Sequence, residues 1–322
     1  MEGNVTVLRR MAVRRALFPA LALILALLAA GCSAGGKTYA DAVYPLEREG
    51  VALHLDRMSL ADKPCEKNIL LVHGLTYSSH EFDVDYADYS LARYLARAGY
   101  AVWRLDIAGY GQSGAVADGF LPDTDYAARD VAAAVDAILA DTGAEQIDLL
   151  GWSWGTVVAS RFAYDHPETI RKLVLYAPIF SGLGEAEVTE PFHTNDWAHA
   201  ADDFQKKADG SLDLDMTEKE VIGMYCSGCW RYDGDFSPNG GRRDLCVSRE
   251  TELIDPGRLR MPTLVICGDS DPYMDPARVE NCMARLPEGS QREVIPGGGH
   301  ALMLEQPFYR TFREKVTAFL GK

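Results

Sequence analysis

The stretch QIDLLGWSWGTVVAS, residues 146–160, packs three structural instructions into one short segment. Ile147 to Leu150 form a short apolar run of the kind that becomes a buried strand. Gly151, Ser153 and Gly155 then set a G-x-S-x-G pattern, and Thr156 to Ser160 read as the start of a helix. Alone, the pattern is also that of a serine in a Gly-rich turn. Between a strand and a helix it predicts a sharp, strained turn with the serine at its apex. Small residues at 151 and 155 let the backbone double back and lift Ser153 Oγ above the sheet. The Trp154 N–H then faces the same side.

Working outward, further apolar runs bounded by Gly, Pro or Asp recur at 68–74 (NILLVHG), 100–106 (YAVWRLD), 172–178 (KLVLYAP) and 262–271 (PTLVICGDSD). Such runs suit strands covered on both faces, as in a parallel sheet. Helical patterns lie between them. Val131, Ala134, Val135 and Ile138 share one helix face, and Phe308, Phe312, Val316 and Leu320 another. Strand and helix in alternation predict an α/β fold with a mostly parallel, doubly wound sheet. Val51, Leu53 and Leu55 alternate with Ala52, His54 and Asp56 and predict an antiparallel strand at the start.

The alternation breaks at residues 180–255, a stretch with 17 acidic and seven basic residues. It is too long for an ordinary loop. It is expected to be a mainly helical cap over the carboxyl edge of the sheet, inserted into a core formed by 40–179 and 256–322. Its Phe192, Trp197, Met224, Tyr225, Trp230 and Phe236 must either pack the cap onto the body or line a pocket; Phe192, Trp197, Met224, Tyr225 and Trp230 are the substrate-binding candidates.

Chemistry-bearing residues fall where the serine turn requires them. His73-Gly74-Leu75-Thr76 ends an earlier strand, so the Leu75 N–H can join that of Trp154 as an oxyanion hole, with Thr76 as the fallback donor. Gly268-Asp269-Ser270-Asp271-Pro272 offers two carboxylates after a strand, and Gly297-Gly298-Gly299-His300 a histidine on a flexible glycine loop. The chain order is Ser, Asp, His.

With these motifs the chain resembles an α/β-hydrolase with a cap, over roughly residues 40–320. The resemblance implies Ser153 as nucleophile, His300 as general base and then acid, and Asp271, favoured over Asp269, as the group orienting the imidazole. It also implies that the turn from Asp106 to Ser113 is structural, and His73 with it. A serine, rather than an aspartate, as nucleophile points to acyl transfer through an acyl-enzyme, which needs no cofactor. No phosphate loop or metal motif is present. The first reading is an ester hydrolase for small to medium apolar substrates, similar to the monoacylglycerol lipase and lysophospholipase branch. A proline iminopeptidase-like aminopeptidase is the alternative, with Glu185, Glu187 or Glu190 taking an α-amine. The third is a surface binding protein that keeps the fold without turnover.

Composition bounds the partners. The 322 residues are 48% hydrophobic, enough for a large core, and the formal charge of −15 repels nucleic-acid phosphates. The acidic cap also disfavours strongly anionic substrates, within the limits of salt screening. Residues 16–30 form an apolar run behind Arg9, Arg10, Arg14 and Arg15, the layout of an export signal that is complete even if Met11 is the start. Ala29-Ala30-Gly31-Cys32 resembles the lipobox of bacterial lipoproteins. That resemblance implies a signal at 1–31, lipidation of Cys32, a tether at 32–39 and a membrane-anchored protein of the cell envelope; ordinary signal cleavage is the alternative. In such a compartment disulfides persist. Cys226, Cys229 and Cys246 lack a fourth ligand for zinc, so a disulfide from Cys246 to Cys226 or Cys229 is expected. Cys267 and Cys282 either pair or stay as buried thiols, and Cys65 completes the set. The acidic run Glu81, Asp83, Asp85, Asp88 reads as a solvated loop.

Overall fold

A computed structural model describes residues 29–32, 38–65 and 67–321, without the side chains of 29–32. The rest of the expected signal, residues 33–37 of the expected tether and the Cys32 side chain lie outside the described residues.

The strands are β1 (Ala29–Cys32), β2 (Thr38–Arg48), β3 (Val51–Leu60), β4 (Lys67–Val72), β5 (Tyr100–Asp106), β6 (Ile147–Trp152), β7 (Ile170–Tyr176), β8 (Phe192–Thr194), β9 (Phe236–Pro238), β10 (Thr263–Gly268) and β11 (Gln291–Ile295). The helices are α1 (Leu91–Arg97), α2 (Thr124–Thr142), α3 (Trp154–Asp165), α4 (Trp197–Ala200), α5 (Lys219–Tyr232), α6 (Gly240–Leu245), α7 (Pro276–Arg285) and α8 (Tyr309–Gly321). One sheet runs β1-β2-β3-β5-β4-β6-β7-β10-β11. From β5 to β11 every pairing is parallel, and β1, β2 and β3 join antiparallel. The sheet is the mostly parallel, helix-flanked one that the alternating pattern implies.

Burial explains the strand pattern. Every residue of β6 and β10 is buried, and Ile69 to Val72 of β4 are fully so. With helices on both faces, these strands have no solvent side on which polar residues would be stable. On α2 the face of Val131, Ala134, Val135 and Ile138 is buried as its spacing requires; Asp123 caps the N-terminus through the Tyr126 N–H, and Gly143 closes the other end at φ 68°. Strand β2 was not expected. Its start at Thr38 cuts into the expected tether, and its half-exposed, Pro-containing sequence has no clean alternation to betray it.

Between β7 and β10 the chain forms α4, α5 and α6 and the two-stranded β8–β9 ribbon. Helix α5 buries Val221, Ile222, Tyr225, Cys226 and Cys229 in the same apolar cluster as Trp152 and Tyr176 of the sheet. The expected disulfide is not there: all six described cysteines are free. Cys226 and Cys229, three apart on α5, point inward, while Cys246 borders a cavity with Sγ 3.5 Å from Glu185 Oε2. Burial pushes the Cys226 and Cys246 thiols up to about 11 and the Cys267 and Cys282 thiols to about 12, which leaves them unreactive.

Candidate active site

Ser153 follows β6 directly, with φ 54° and ψ −123°, and starts α3. The turn is held on both sides: the Ser153 N–H donates to Tyr176 O at 3.0 Å, and Ser153 O accepts from Thr156 N at 2.9 Å and Thr156 Oγ1 at 2.6 Å. The glycines are there for close approach. A Cβ on Gly151 would lie 2.2 Å from Gly155 O, and one on Gly155 would lie 2.4 Å from Val72 O. Trp154 is fully buried, its indole donating to Thr124 Oγ1 at 3.0 Å. As the first residue of α3, its N–H has no partner within the helix.

Asp271 and His300 come from the loops after β10 and β11, so all three residues stand at the carboxyl edge of the sheet. His300 Nδ1 lies 2.9 Å from Asp271 Oδ2, both side chains nearly inaccessible to solvent. Asp271 Oδ1 accepts the Tyr273 N–H at 2.9 Å, and the Tyr273 ring sets its edge on His300 at 4.9 Å. Asp269 turns elsewhere and accepts the Gly297 N–H at 2.6 Å. With Nδ1–H given to the carboxylate, Nε2 is the free position of the neutral ring. Burial opposes charging His300, but the Asp271 carboxylate, joined by those of Asp203 and Glu305, holds the pKa above the ordinary value.

The loop carrying His300 is not the flexible one expected. Trp152 Nε1 and Tyr176 Oη both donate to His300 O, at 3.2 and 3.0 Å, and the Gly299 N–H donates to both Glu305 carboxylate oxygens. A Cβ at Gly299 would meet Glu305 Oε1 at 2.4 Å, so this glycine serves close packing.

Ser153 and His300 border one cavity of about 150 Å³, together with Leu75, Thr76, Tyr77, Glu185, His199, Asp203, Arg242 and Tyr273 among others. Among the described residues the Ser153 hydroxyl has no hydrogen-bond partner; such contacts tighten with substrate in place. A larger cavity of about 490 Å³ shares Leu183, Glu185 and Tyr273 with it. Leu75 reaches the site, and its backbone N–H makes no hydrogen bond among the described residues. His73 has the structural place expected: its Nε2 accepts the Ile107 N–H at 3.1 Å, so Nδ1–H donates to Gly74 O at 2.8 Å. Asp106 likewise ties the turn, accepting from Ser79 and from the Gln112 N–H.

None of Phe192, Trp197, Met224, Tyr225 and Trp230 borders the Ser153 cavity. Tyr225 is buried and donates to Glu81 Oε1 at 2.8 Å, fastening the cap to the body. Glu81 is therefore no part of a solvated loop. Trp197 and Met224 are exposed, and the Trp197 ring meets that of Trp230 at 5.8 Å, tilted by 37°. The walls are instead largely polar: Glu185, His199, Asp203 and Arg242, which no periodicity marks. Among the described residues no group of three His, Cys, Asp or Glu side chains could hold a metal ion.

A strained serine at a strand–helix turn, in a capped, mostly parallel sheet, defines the α/β-hydrolase class. Residues 63–307 match the Hydrolase_4 family, described as Serine aminopeptidase, S33, and the chain belongs to that family of hydrolases. Among sequence relatives it is 30% identical over 225 residues to polyketide synthase ThaQ of Burkholderia thailandensis, covering 62% of this chain but only 10% of that protein. It is 24% identical to the uncharacterized carboxylesterase nap of Bacillus subtilis, over 79% of each chain. Among solved structures it is similar to a bromoperoxidase from Bacillus anthracis, with TM-score 0.61, 20% identity, and coverage of 88% of this chain and 100% of that one. At such identity the likeness shows the fold alone.

Proposed function

We propose that this protein is a serine hydrolase that cleaves carboxylic esters through an acyl-enzyme. One observation carries the reading: the Asp271-held imidazole of His300 opens into the same cavity as the hydroxyl on the strained Ser153 turn. In this reading Ser153 Oγ attacks the ester carbonyl carbon while His300 Nε2 takes the hydroxyl proton. The carbonyl oxygen becomes an oxyanion, which the N–H groups of Leu75 and Trp154 stabilise. The C–O bond to the alcohol breaks, the imidazolium returns the proton to the leaving alkoxide, and the acyl group stays on Ser153. Water, deprotonated by His300, then releases the acid. Asp271 keeps the tautomer and steadies the imidazolium. Esterase-like relatives support the ester bond as target, and the adjoining cavity of about 490 Å³, with Phe180, Leu183 and Met274 in its walls, supports room for an apolar group.

A second reading, a serine aminopeptidase, is favoured by the Glu185 and Asp203 carboxylates at the cavity and by the family's description. We further infer export and lipid anchoring at Cys32, supported by the Arg-flanked apolar run and Ala29-Ala30-Gly31-Cys32. The test is a fluorophosphonate probe on the purified protein, with p-nitrophenyl esters of graded length and proline arylamides beside it. Labelling and ester turnover that vanish in Ser153→Ala are expected. Arylamide turnover alone would select the second reading, and a folded protein that does not label would end both.

A further inference from the structure

We infer that Arg242 is a substrate-recognising residue, and that the preferred ester carries a second, ionised carboxylate within a few bonds of the scissile bond. The inference rests on the hydrolase reading and adds the substrate class.

Arg242 is brought to the site by a built approach. Helix α6 begins Gly240-Gly241, and a Cβ on Gly241 would lie 2.4 Å from the Trp154 indole, one on Gly240 2.6 Å from Pro122. Gly241 lets the cap backbone lie against Trp154, the residue next to Ser153, and Gly240 lets it lie against Pro122; Arg242 follows them on the cavity wall. There its Nε donates to Asn239 Oδ1 at 3.1 Å and Nη2 to Thr76 Oγ1 at 2.7 Å. Asn239 is itself buried and fixed, its Nδ2 donating to Glu190 O at 3.0 Å. Both partners of the guanidinium are neutral, and among the described residues Arg242 makes no ion pair. Of its five N–H donors three remain, two on Nη1 and one on Nη2, the edge that grips a carboxylate in bidentate fashion.

Two of the three carboxylates sharing the cavity, Asp202 and Glu185, have partners elsewhere. Asp202 lies 2.5 Å from Lys206 Nζ and 3.4 Å from His199 Nδ1. Asp203 faces His300 and His199, and burial raises its pKa. Glu185 accepts from Cys246 Sγ. Near Arg242, burial and then the guanidinium charge itself hold His193 neutral, its pKa lowered to about 4. The cap's net negative charge, spread over its surface, is screened within about 8 Å, whereas a bound carboxylate would touch this guanidinium. The cavity is small, about 150 Å³, so Arg242 and Ser153 must engage groups only a few atoms apart on one molecule.

The test compares monoethyl succinate with ethyl 4-methylpentanoate, in which an isopropyl group replaces the carboxylate, by ethanol release from the full-length protein. The wild type is expected to favour the anionic ester in kcat/KM. Arg242→Met should lower kcat/KM for it by about 10- to 100-fold, mainly in KM, and change the neutral ester by less than about threefold. Arg242→Lys should restore part of the preference. Equal losses on both esters would reduce Arg242 to a support for the Thr76 turn and overturn the inference. Fluorophosphonate labelling of each protein separates the levels: an enzyme that labels but does not favour the anionic ester sinks this inference alone, whereas a folded enzyme that does not label sinks the hydrolase reading beneath it.

Discussion

Ser153 occupies a backbone region that costs a non-glycine residue about 1–3 kcal/mol, and it stays there because its neighbours leave no alternative. Gly155 is wedged between two backbone carbonyls, with Val72 O and His73 O at 2.4 and 2.5 Å from a Cβ position. Gly155→Ala is therefore expected to unfold or grossly destabilise the protein, read as lost soluble yield or a lower Tm, while Ser153→Ala folds normally. His300 decides the pH response. Burial lowers its pKa, the carboxylates of Asp271, Asp203 and Glu305 together raise it by more, and in the proposed reaction the neutral ring is the base. Activity should accordingly fall as pH drops through a midpoint above about 6.5, the ordinary histidine value. In Asp271→Asn that midpoint should move down and kcat should drop by about three to four orders of magnitude, measured on any p-nitrophenyl ester the wild type turns over. A variant with an unchanged pH profile would place the third role elsewhere.

At the scale of elements, the cap is held to the body by few but well-placed groups. Asp233, which caps α5, accepts the Ser78 N–H and Oγ–H, each at 3.1 Å, and the Gly111 N–H at 2.8 Å, so one cap side chain ties two body loops. Asp233→Ala leaves the Ser78 and Gly111 N–H groups without an acceptor, while Ser78 Oγ keeps His80 Nδ1 at 3.1 Å, and should cost about 2–4 kcal/mol, visible in chemical denaturation. Burial raises the Asp233 pKa to about 7, far above the value near 3.9 of an unfolded chain. A group raised in this way contributes stability that is present below the unfolded value and is lost as pH rises through about 7. The Tm of the wild type should thus fall relative to that of Asp233→Asn between about pH 5 and pH 8. A constant gap between the two would contradict a buried, proton-holding Asp233.

For the whole molecule, the decisive feature is that cap and sheet share one core. Phe204, Val221 and Tyr225 belong to the same buried cluster as Trp152, Tyr176 and Phe312. No solvated seam separates them, so thermal unfolding should be a single transition, with calorimetric and van't Hoff enthalpies in agreement. Two resolved transitions would mean that the cap melts alone. The excess negative charge lies chiefly in residues 180–255, yet the same segment supplies Arg242 to the cavity wall, so net charge does not set the charge of each wall.

The chain order of local patterns already determined the parallel sheet, the serine turn and the loops bearing Asp271 and His300. Each is a short-range consequence of apolar runs, glycine spacing and strand ends, and such signals survive reading in one dimension. Of the cavity walls, Leu75, Thr76 and Glu185 could be named from the sequence, whereas Asp203 and Arg242 were decided only in three dimensions. Tyr225 reads like a pocket residue but is consumed by the contact with Glu81, and Cys226 and Cys229 read like disulfide partners but face the core. Thr76, His199 and Arg242 meet from three distant segments, and nothing periodic announces them. A side chain's partner across a cap and body depends on how two surfaces pack, and that packing is a property of the whole fold.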